Sequence, residues 1–427
     1  AIAAAEKLAA QPNAPDDQVS AADKAVRQAL TGVGTVAEQL TTQAKALAKT
    51  AKGSKGHLRL IYEAAWCYRI LGEREIDSAR RKLQQDAMRV SRSRRSSSSG
   101  GGTPKALSPP RISLADLPVQ ASEARAIKLY EELIAAAPQS PLAARGRFEL
   151  AEMFAHRRRN DPAVELLETI LENSPPEDLA QRARLRLAAC LLDRGDSKRA
   201  MTLITLVEGK AKGNDLGHVR YLTGEAYILQ KEWSKAIEQL AAFRDTDPYR
   251  QMRGIADRAL LRLSRTYEQT GNWGESRRAM ETLASHYPSS SWINEARFGM
   301  ARARENTKDY TNAITGYASV TANTAAGVAA RAQLRIGHCR MALKEYAEAA
   351  KAFLAVPYTY NYPENNAEAW YQSGLAYEAA KQLDDAAKSL GQVIREHPKS
   401  KWATEAGKKL PAIKEQLAAL RKTKRKN

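Results

Sequence analysis

AWYQSGLAYEAAKQLDDAAKSLGQVIREHP, residues 369–398, decides the fold. Gly374 and Ala386 are small residues that let two antiparallel helices approach closely. Tyr377 and the large apolar Leu390 fill the space beside that contact. Pro398 ends the second helix, because it lacks an N–H and its ring clashes with the preceding turn. One helical hairpin is therefore written in a single stretch.

The same arrangement returns upstream. Ala163, Ala200, Ala236, Ser276, Ala313 and Ala349 occupy the place of Ala386, at intervals of 36 to 40 residues. Ala151, Ala188, Gly224, Ser264, Ala301 and Gly337 occupy the place of Gly374. Pro175, Pro248 and Pro288 stand where Pro398 does. A generic Ala-rich bundle would not return small residues to the same two places. The pattern resembles the tetratricopeptide repeat, with Trp370 at repeat position 4, Gly374 at 8, Tyr377 at 11, Ala386 at 20 and Pro398 at 32. The period is longer than the 34 residues typical of that family. The resemblance implies an all-α fold: a right-handed α-solenoid of about eight helical hairpins with a C-terminal capping helix.

The predicted organisation has five parts. Residues 1–56 hold the end of a truncated repeat, with Pro12 at position 32, and Ala-rich helices without the repeat signature. Residues 57–72 form the first helix of a split repeat, with Ala65 at position 8, Tyr68 at 11 and Gly72 at 15. Residues 73–121 are a basic Ser/Gly/Pro-rich insert whose start can prolong that helix and whose later part, too polar to bury apolar surface, is partly disordered. Residues 122–400 form the repeat array, opening with the helix that completes the split hairpin through Ala126, Tyr130, Leu133 and Pro138. Residues 401–427 form the capping helix and a basic tail. Solenoids tolerate an insert at a turn, since loop-closure entropy grows slowly with length.

Composition agrees. Hydrophobic residues make up 43% of the 427 and aromatics 6%, which suits small-residue helix packing. No window approaches a membrane-spanning run. The chain starts at Ala1 without a visible signal peptide, so the expectation is a processed chain or a piece of a longer one. The net charge is +19. Residues 78–111 carry nine Lys/Arg against Asp86 alone, and the tail 421–427 carries five Lys/Arg and no acid, so these segments hold most of it.

Catalytic readings find no support. Cys67, Cys190 and Cys339 each take position 10 of separate repeats, too far apart to pair, and are expected as free buried thiols. No metal-ligand spacing, phosphate-binding glycine loop or nucleophile–base constellation occurs, so no cofactor, metal or enzyme activity is expected.

Turns such as HYPSSSWINEARFGMARARE, residues 286–305, and HPKSKWATEAGKKL, residues 397–410, resemble those of bacterial envelope tetratricopeptide proteins, the Tol-Pal coordinator and the outer-membrane assembly lipoprotein. That likeness implies a periplasmic or envelope-associated protein-interaction scaffold, with the cytoplasm as the alternative. The Lys/Asn clamp that some relatives use for carboxylates is absent: the corresponding pairs are Phe148/Glu152, Leu185/Ala189 and Tyr221/Glu225. The candidate partner-binding residues lie on the first-helix face, at repeat positions 2 and 5. Arg145, Arg182, Arg258 and Arg331 form a basic row beside the aromatic strip Phe148, Tyr221, Phe298 and Tyr371. Arginine and aromatics dominate interface energies, so a protein or peptide of acidic character is the expected partner. Nucleic acid or an anionic surface, met through the insert and tail, is the alternative.

Overall fold

A computed structural model of the chain describes residues 16–96, 112–252, 254–360 and 362–424. They are almost wholly helical, with no β-strand among them. The chain falls into two compact units, Ala1–Lys82 with Ile112–Lys212, and Leu83–Arg111 with Gly213–Asn427. The expected half-repeat around Pro12, the Ser/Gly/Pro run from 97 to 111 and the tail end 425–427 lie outside the described residues.

The first unit contains α1 (Asp16–Ala51), the start of α2 (Lys55–Ser96), a 3₁₀ turn at Leu114–Asp116, α3 (Ala121–Ala136), α4 (Pro141–His156), α5 (Asn160–Glu172), α6 (Glu177–Asp193) and α7 (Ser197–Glu208). The second contains α8 (Asn214–Leu229), α9 (Trp233–Asp245), the single turn α10 (Asp247–Arg250), α11 (Ala256–Gln269), α12 (Trp273–His286), α13 (Ile293–Asn306), α14 (Tyr310–Asn323), α15 (Gly327–Ala342), α16 (Tyr346–Thr359), α17 (Pro363–Ala379), α18 (Leu383–Glu396) and α19 (Lys401–Lys424). Within each unit consecutive helices pack as stacked hairpins, the α-solenoid arrangement.

The small residues explain the packing. Ala163 and Ala200 in the first unit, and Ala236, Ser276, Ala313, Ala349 and Ala386 in the second, are all completely buried. Facing them are the first-helix small residues, against which the large second-helix residues Leu167, Ile204, Leu240, Met280, Tyr317, Phe353 and Leu390 are packed with almost no exposure. Burying each such side chain contributes roughly 1.5–3 kcal/mol. A Cβ on Gly224 would lie 2.7 Å from Leu240, and one on Gly374 2.8 Å from Leu390. In the hairpin where both small residues are serines, Ser264 and Ser276 share a hydrogen bond of 2.8 Å, so neither hydroxyl is buried unsatisfied.

Between the two helices of a hairpin the chain turns through the left-handed region. Gly195 and Gly271 take it in two repeats, whereas Arg158, Lys231, Lys308, Lys344 and Lys381 take it in five others, each with φ between 58° and 64°. These cations sit just past a helix C-terminus, where the helix dipole favours positive charge and offsets part of the conformational cost.

Around the insert, α2 does not stop at Gly72 but continues to Ser96. A Cβ on Gly72 would meet the Glu123 backbone nitrogen at 2.8 Å, so glycine is what lets α3 start against α2. Glu75 on α2 accepts from the Ser122 amide at 2.9 Å and the Ser122 hydroxyl at 2.6 Å. Ala65, Ala126, Tyr130 and Leu133 are completely buried.

All three cysteines are buried and unpaired. Burial pushes the Cys190 thiol up to about 11 and the Cys339 thiol up to about 12, and it also raises Cys67, with help from the nearby Glu63 carboxylate. The thiolate is the reactive form, and a raised pKa suppresses it until the pH climbs towards the shifted value. At pH 8 a thiol of pKa about 11 is ~0.1% ionised against roughly a quarter for a free one, so labelling slows by about a hundredfold or more. A colorimetric thiol assay should therefore find no rapidly reacting cysteine in the native protein and three after denaturation. Native labelling at the free-thiol rate would show that these side chains are not buried.

Candidate functional site

Successive first helices are cross-linked by charge. In the second unit, Arg262 on α11 meets Glu225 on α8 at 2.8 Å, and Arg302 on α13 meets Glu268 on α11 at 2.9 Å. Arg335 on α15 meets Glu305 on α13 at 2.8 Å, His338 on α15 meets Glu368 on α17 at 3.4 Å, and Lys409 on α19 meets Glu378 on α17 at 2.9 Å. The first unit repeats the theme, Arg69 with Glu149 and Arg186 with Glu152. Burial pushes the Glu268 carboxyl up, and the Arg302 guanidinium beside it offsets part of that rise.

The sequence-predicted arginines behave differently. Arg145, Arg182, Arg258 and Arg331 are all exposed, and none makes an ion pair among the described residues. Three of them lie on the aromatic strip, each reaching back one repeat. Arg182 stands 4.3 Å from the ring centre of Phe148, Arg258 5.7 Å from Tyr221, and Arg331 5.0 Å from Phe298. Phe148 is buried, whereas Tyr221, Phe298 and Tyr371 are half-buried. Within each unit the basic row and the aromatic strip thus interleave, Arg182 with Phe148 in the first, and Arg258 with Tyr221 and Arg331 with Phe298 in the second. Arg145, Phe148 and Arg182 belong to the first unit, and the other five residues to the second.

The second unit gathers part of this surface into a cavity of about 1000 Å³. Its walls come from α13, α15, the start of α17 and the turn between α18 and α19. Phe298, Leu334, Ala367 and Trp402 supply apolar lining. Five cations, Arg302, Arg331, Arg335, Lys399 and Lys401, face three carboxylates, Glu364, Glu368 and Glu396. Arg302 and Arg335 are neutralised by Glu268 and Glu305, which are not part of the lining. Glu396 accepts from the Trp370 indole at 3.2 Å. Arg331, Lys399 and Lys401 remain without a carboxylate among the described residues. Of the eight sequence-predicted residues, the cavity brings together Phe298 and Arg331. Tyr371 supports it from behind, its ring 5.3 Å from Trp402 at an angle of 31°. Tyr221 and Arg258 lie elsewhere on the same unit.

Lys399, in the α18–α19 turn, and Lys401 and Trp402, at the start of α19, escaped the sequence reading because they lie outside the repeat positions that define the hairpins. One signal was present: a tryptophan four residues after the helix-ending proline occurs twice, as Pro288/Trp292 and Pro398/Trp402.

Family models extend the case. Residues 113–246 match a tetratricopeptide repeat-like domain, and residues 258–290 and 368–400 each match a tetratricopeptide repeat. This is a tetratricopeptide-repeat protein. Solved structures share the tetratricopeptide fold at low identity. The apo form of RapI is 10% identical, with 62% of this chain aligned to 79% of that one at a TM-score of 0.51. A signal-transduction ATPase with a tetratricopeptide sensor, from Pyrococcus horikoshii, is 13% identical, with 85% of this chain aligned at a TM-score of 0.52. The alignment spans only about half of that longer protein, 53%. No curated protein sequence matches the chain. Tetratricopeptide arrays are typically non-catalytic interaction scaffolds that bind protein or peptide partners on surfaces formed by their stacked hairpins. No helix among the described residues is long and apolar enough to cross a membrane.

Proposed function

We propose that this tetratricopeptide protein is a non-enzymatic scaffold whose second unit binds an acidic segment of a partner protein in the cavity between α13, α15, α17 and the α18–α19 turn. The observation that carries the reading is the contrast between two sets of cations. Those that bridge the first helices are neutralised, whereas Arg331, Lys399 and Lys401 point into a space with apolar lining and have no carboxylate of their own. A partner carboxylate supplies what the chain lacks, through charge-assisted hydrogen bonds. The apolar lining supplies the contact area. In the first unit Arg182 lies over Phe148 in the same way.

The test is fluorescence anisotropy with a labelled peptide of alternating glutamate and leucine, set against the same peptide with glutamine for glutamate. The glutamate form should bind at least tenfold more tightly at low salt. Its affinity should fall as ionic strength rises, since exposed charges are screened over roughly 10 Å at 0.1 M. An Arg331→Glu/Lys399→Glu/Lys401→Glu variant of unchanged helicity should lose the preference. Equal binding of the two peptides, or an intact preference in the variant, would overturn the proposal.

A further inference from the structure

Two aromatic rings in this cavity share an arrangement that narrows the ligand further. Phe298 is backed by Tyr317, ring centres 5.2 Å apart, and covered on its open side by the Arg331 guanidinium. Trp402 is backed by Tyr371 and covered by the Lys401 ammonium, 4.6 Å from the ring centre. Each ring packs against a tyrosine and lies beneath a cation that has no ion pair among the described residues. The tyrosine backing keeps the ring in place if the cation leaves. Both cations are exposed, on long flexible stems free to swing.

We propose that Arg331 and Lys401 are displaceable lids, and that the cavity selects a segment carrying two acidic residues, each next to a large apolar one. The inference rests on the peptide-binding reading above. An exposed cation–π contact is weaker than a charge-assisted hydrogen bond to a carboxylate. An incoming carboxylate therefore draws the lid off its ring, and the bared ring receives the neighbouring apolar side chain. Acid and apolar group bind as a pair because the first uncovers the site for the second. Arg302 and Arg335 cannot act this way, since Glu268 and Glu305 already hold them. The lids also keep two aromatic faces out of water in the free protein, which limits unspecific apolar contacts.

The experiment uses the whole chain and three labelled peptides: glutamate–leucine, glutamate–glycine and glutamine–leucine repeats of equal length. Wild type should bind the first at least tenfold more tightly than either other. A Phe298→Ala/Trp402→Ala variant should bind glutamate–leucine no better than glutamate–glycine, with the latter unchanged. Should that variant fail to fold, the lids themselves are tested: Arg331→Ala/Lys401→Ala should weaken glutamate–leucine binding while tightening glutamine–leucine several-fold, because the rings are now uncovered. Equal affinity for glutamate–leucine and glutamate–glycine, or no gain for glutamine–leucine in the lidless variant, overturns the lid mechanism and leaves acidic-peptide binding standing. Failure of both glutamate peptides to outbind the glutamine one overturns the two together.

Discussion

Replacing Arg157 with methionine should destabilise the first unit by about 3–5 kcal/mol, the usual consequence of stripping one partner from a buried ion pair. Arg157 ends α4 and is 7% exposed, and Glu123 on α3 is still less so. The guanidinium uses all five of its N–H groups. Its Nε and one Nη2 hydrogen donate to Glu123, the latter at 2.5 Å. Its Nη1 hydrogens donate to the carbonyls of Leu117 at 2.6 Å and Leu114 at 3.1 Å, and the remaining Nη2 hydrogen to that of Pro118 at 3.1 Å. Glu123 meanwhile accepts from the Gln120 amide at 3.1 Å, completing the cap of α3. One side chain thereby fastens the segment leaving the insert to the repeat that follows. Methionine would leave the buried Glu123 carboxylate without its cation, and the Leu117 carbonyl, together with those of Leu114 and Pro118, without the guanidinium donors. Lysine, with three donors and no planar fork, should rescue only part. The double variant Arg157→Met/Glu123→Gln should recover more than half the loss, because the orphaned charge is gone. Urea unfolding followed by circular dichroism is the measurement. A loss under about 1 kcal/mol for the single variant would mean the fork is not anchoring the segment.

The second large effect reverses the sign that helix propensity gives. Gly337 lies inside α15, where alanine ordinarily stabilises a helix by roughly 1 kcal/mol. Here a Cβ would sit 2.5 Å from the Phe353 ring, which is completely buried on α16 and edge-on to His338 at 5.1 Å. The completely buried Phe353 ring has little room to retreat. Gly337→Ala should therefore destabilise by about 1–3 kcal/mol, and Gly337→Leu by more. Adding Phe353→Leu to Gly337→Ala should restore part of the loss by opening the space. Gly407 is the control: it lies inside α19 with nothing within 4 Å of an added Cβ, so Gly407→Ala should stabilise by up to ~1 kcal/mol. Thermal melts of the four variants decide the matter. If Gly337→Ala and Gly407→Ala shift the melting temperature in the same direction, close packing is not why glycine stands at 337.

The repeat was legible because every residue that defines it acts within one hairpin. Gly374 and Ala386 are twelve residues apart, and their contact follows from two helices and one short turn. The candidate site was legible only in its composition. The arginines and aromatics of positions 2 and 5 were visible as two parallel rows, but that three of the four arginines lie over the aromatic of the preceding repeat, as Arg331 does over Phe298, was not. That pairing depends on how far one hairpin rotates against the next, which packing over the whole contact decides. The continuation of α2 to Ser96 was likewise only half visible, since a polar, Arg-rich stretch suits an exposed helix and an irregular segment equally well.

By itself, then, the sequence determined the hairpin: its small residues, its large fillers, its closing prolines and the seven-fold return of the pattern, all governed by local helix geometry. Only the tertiary structure decided which cations are spent on neighbouring helices and which stay available. Arg302 and Arg335 look like Arg331 in the sequence. They differ because Glu268 and Glu305 stand on the first helix of the preceding hairpin at the right height, and because the α18–α19 turn brings Lys399, Lys401 and Trp402 to the same cavity. Charge pairing between helices is set by distances of a few ångströms across separate elements, and those distances exist only after the hairpins have stacked.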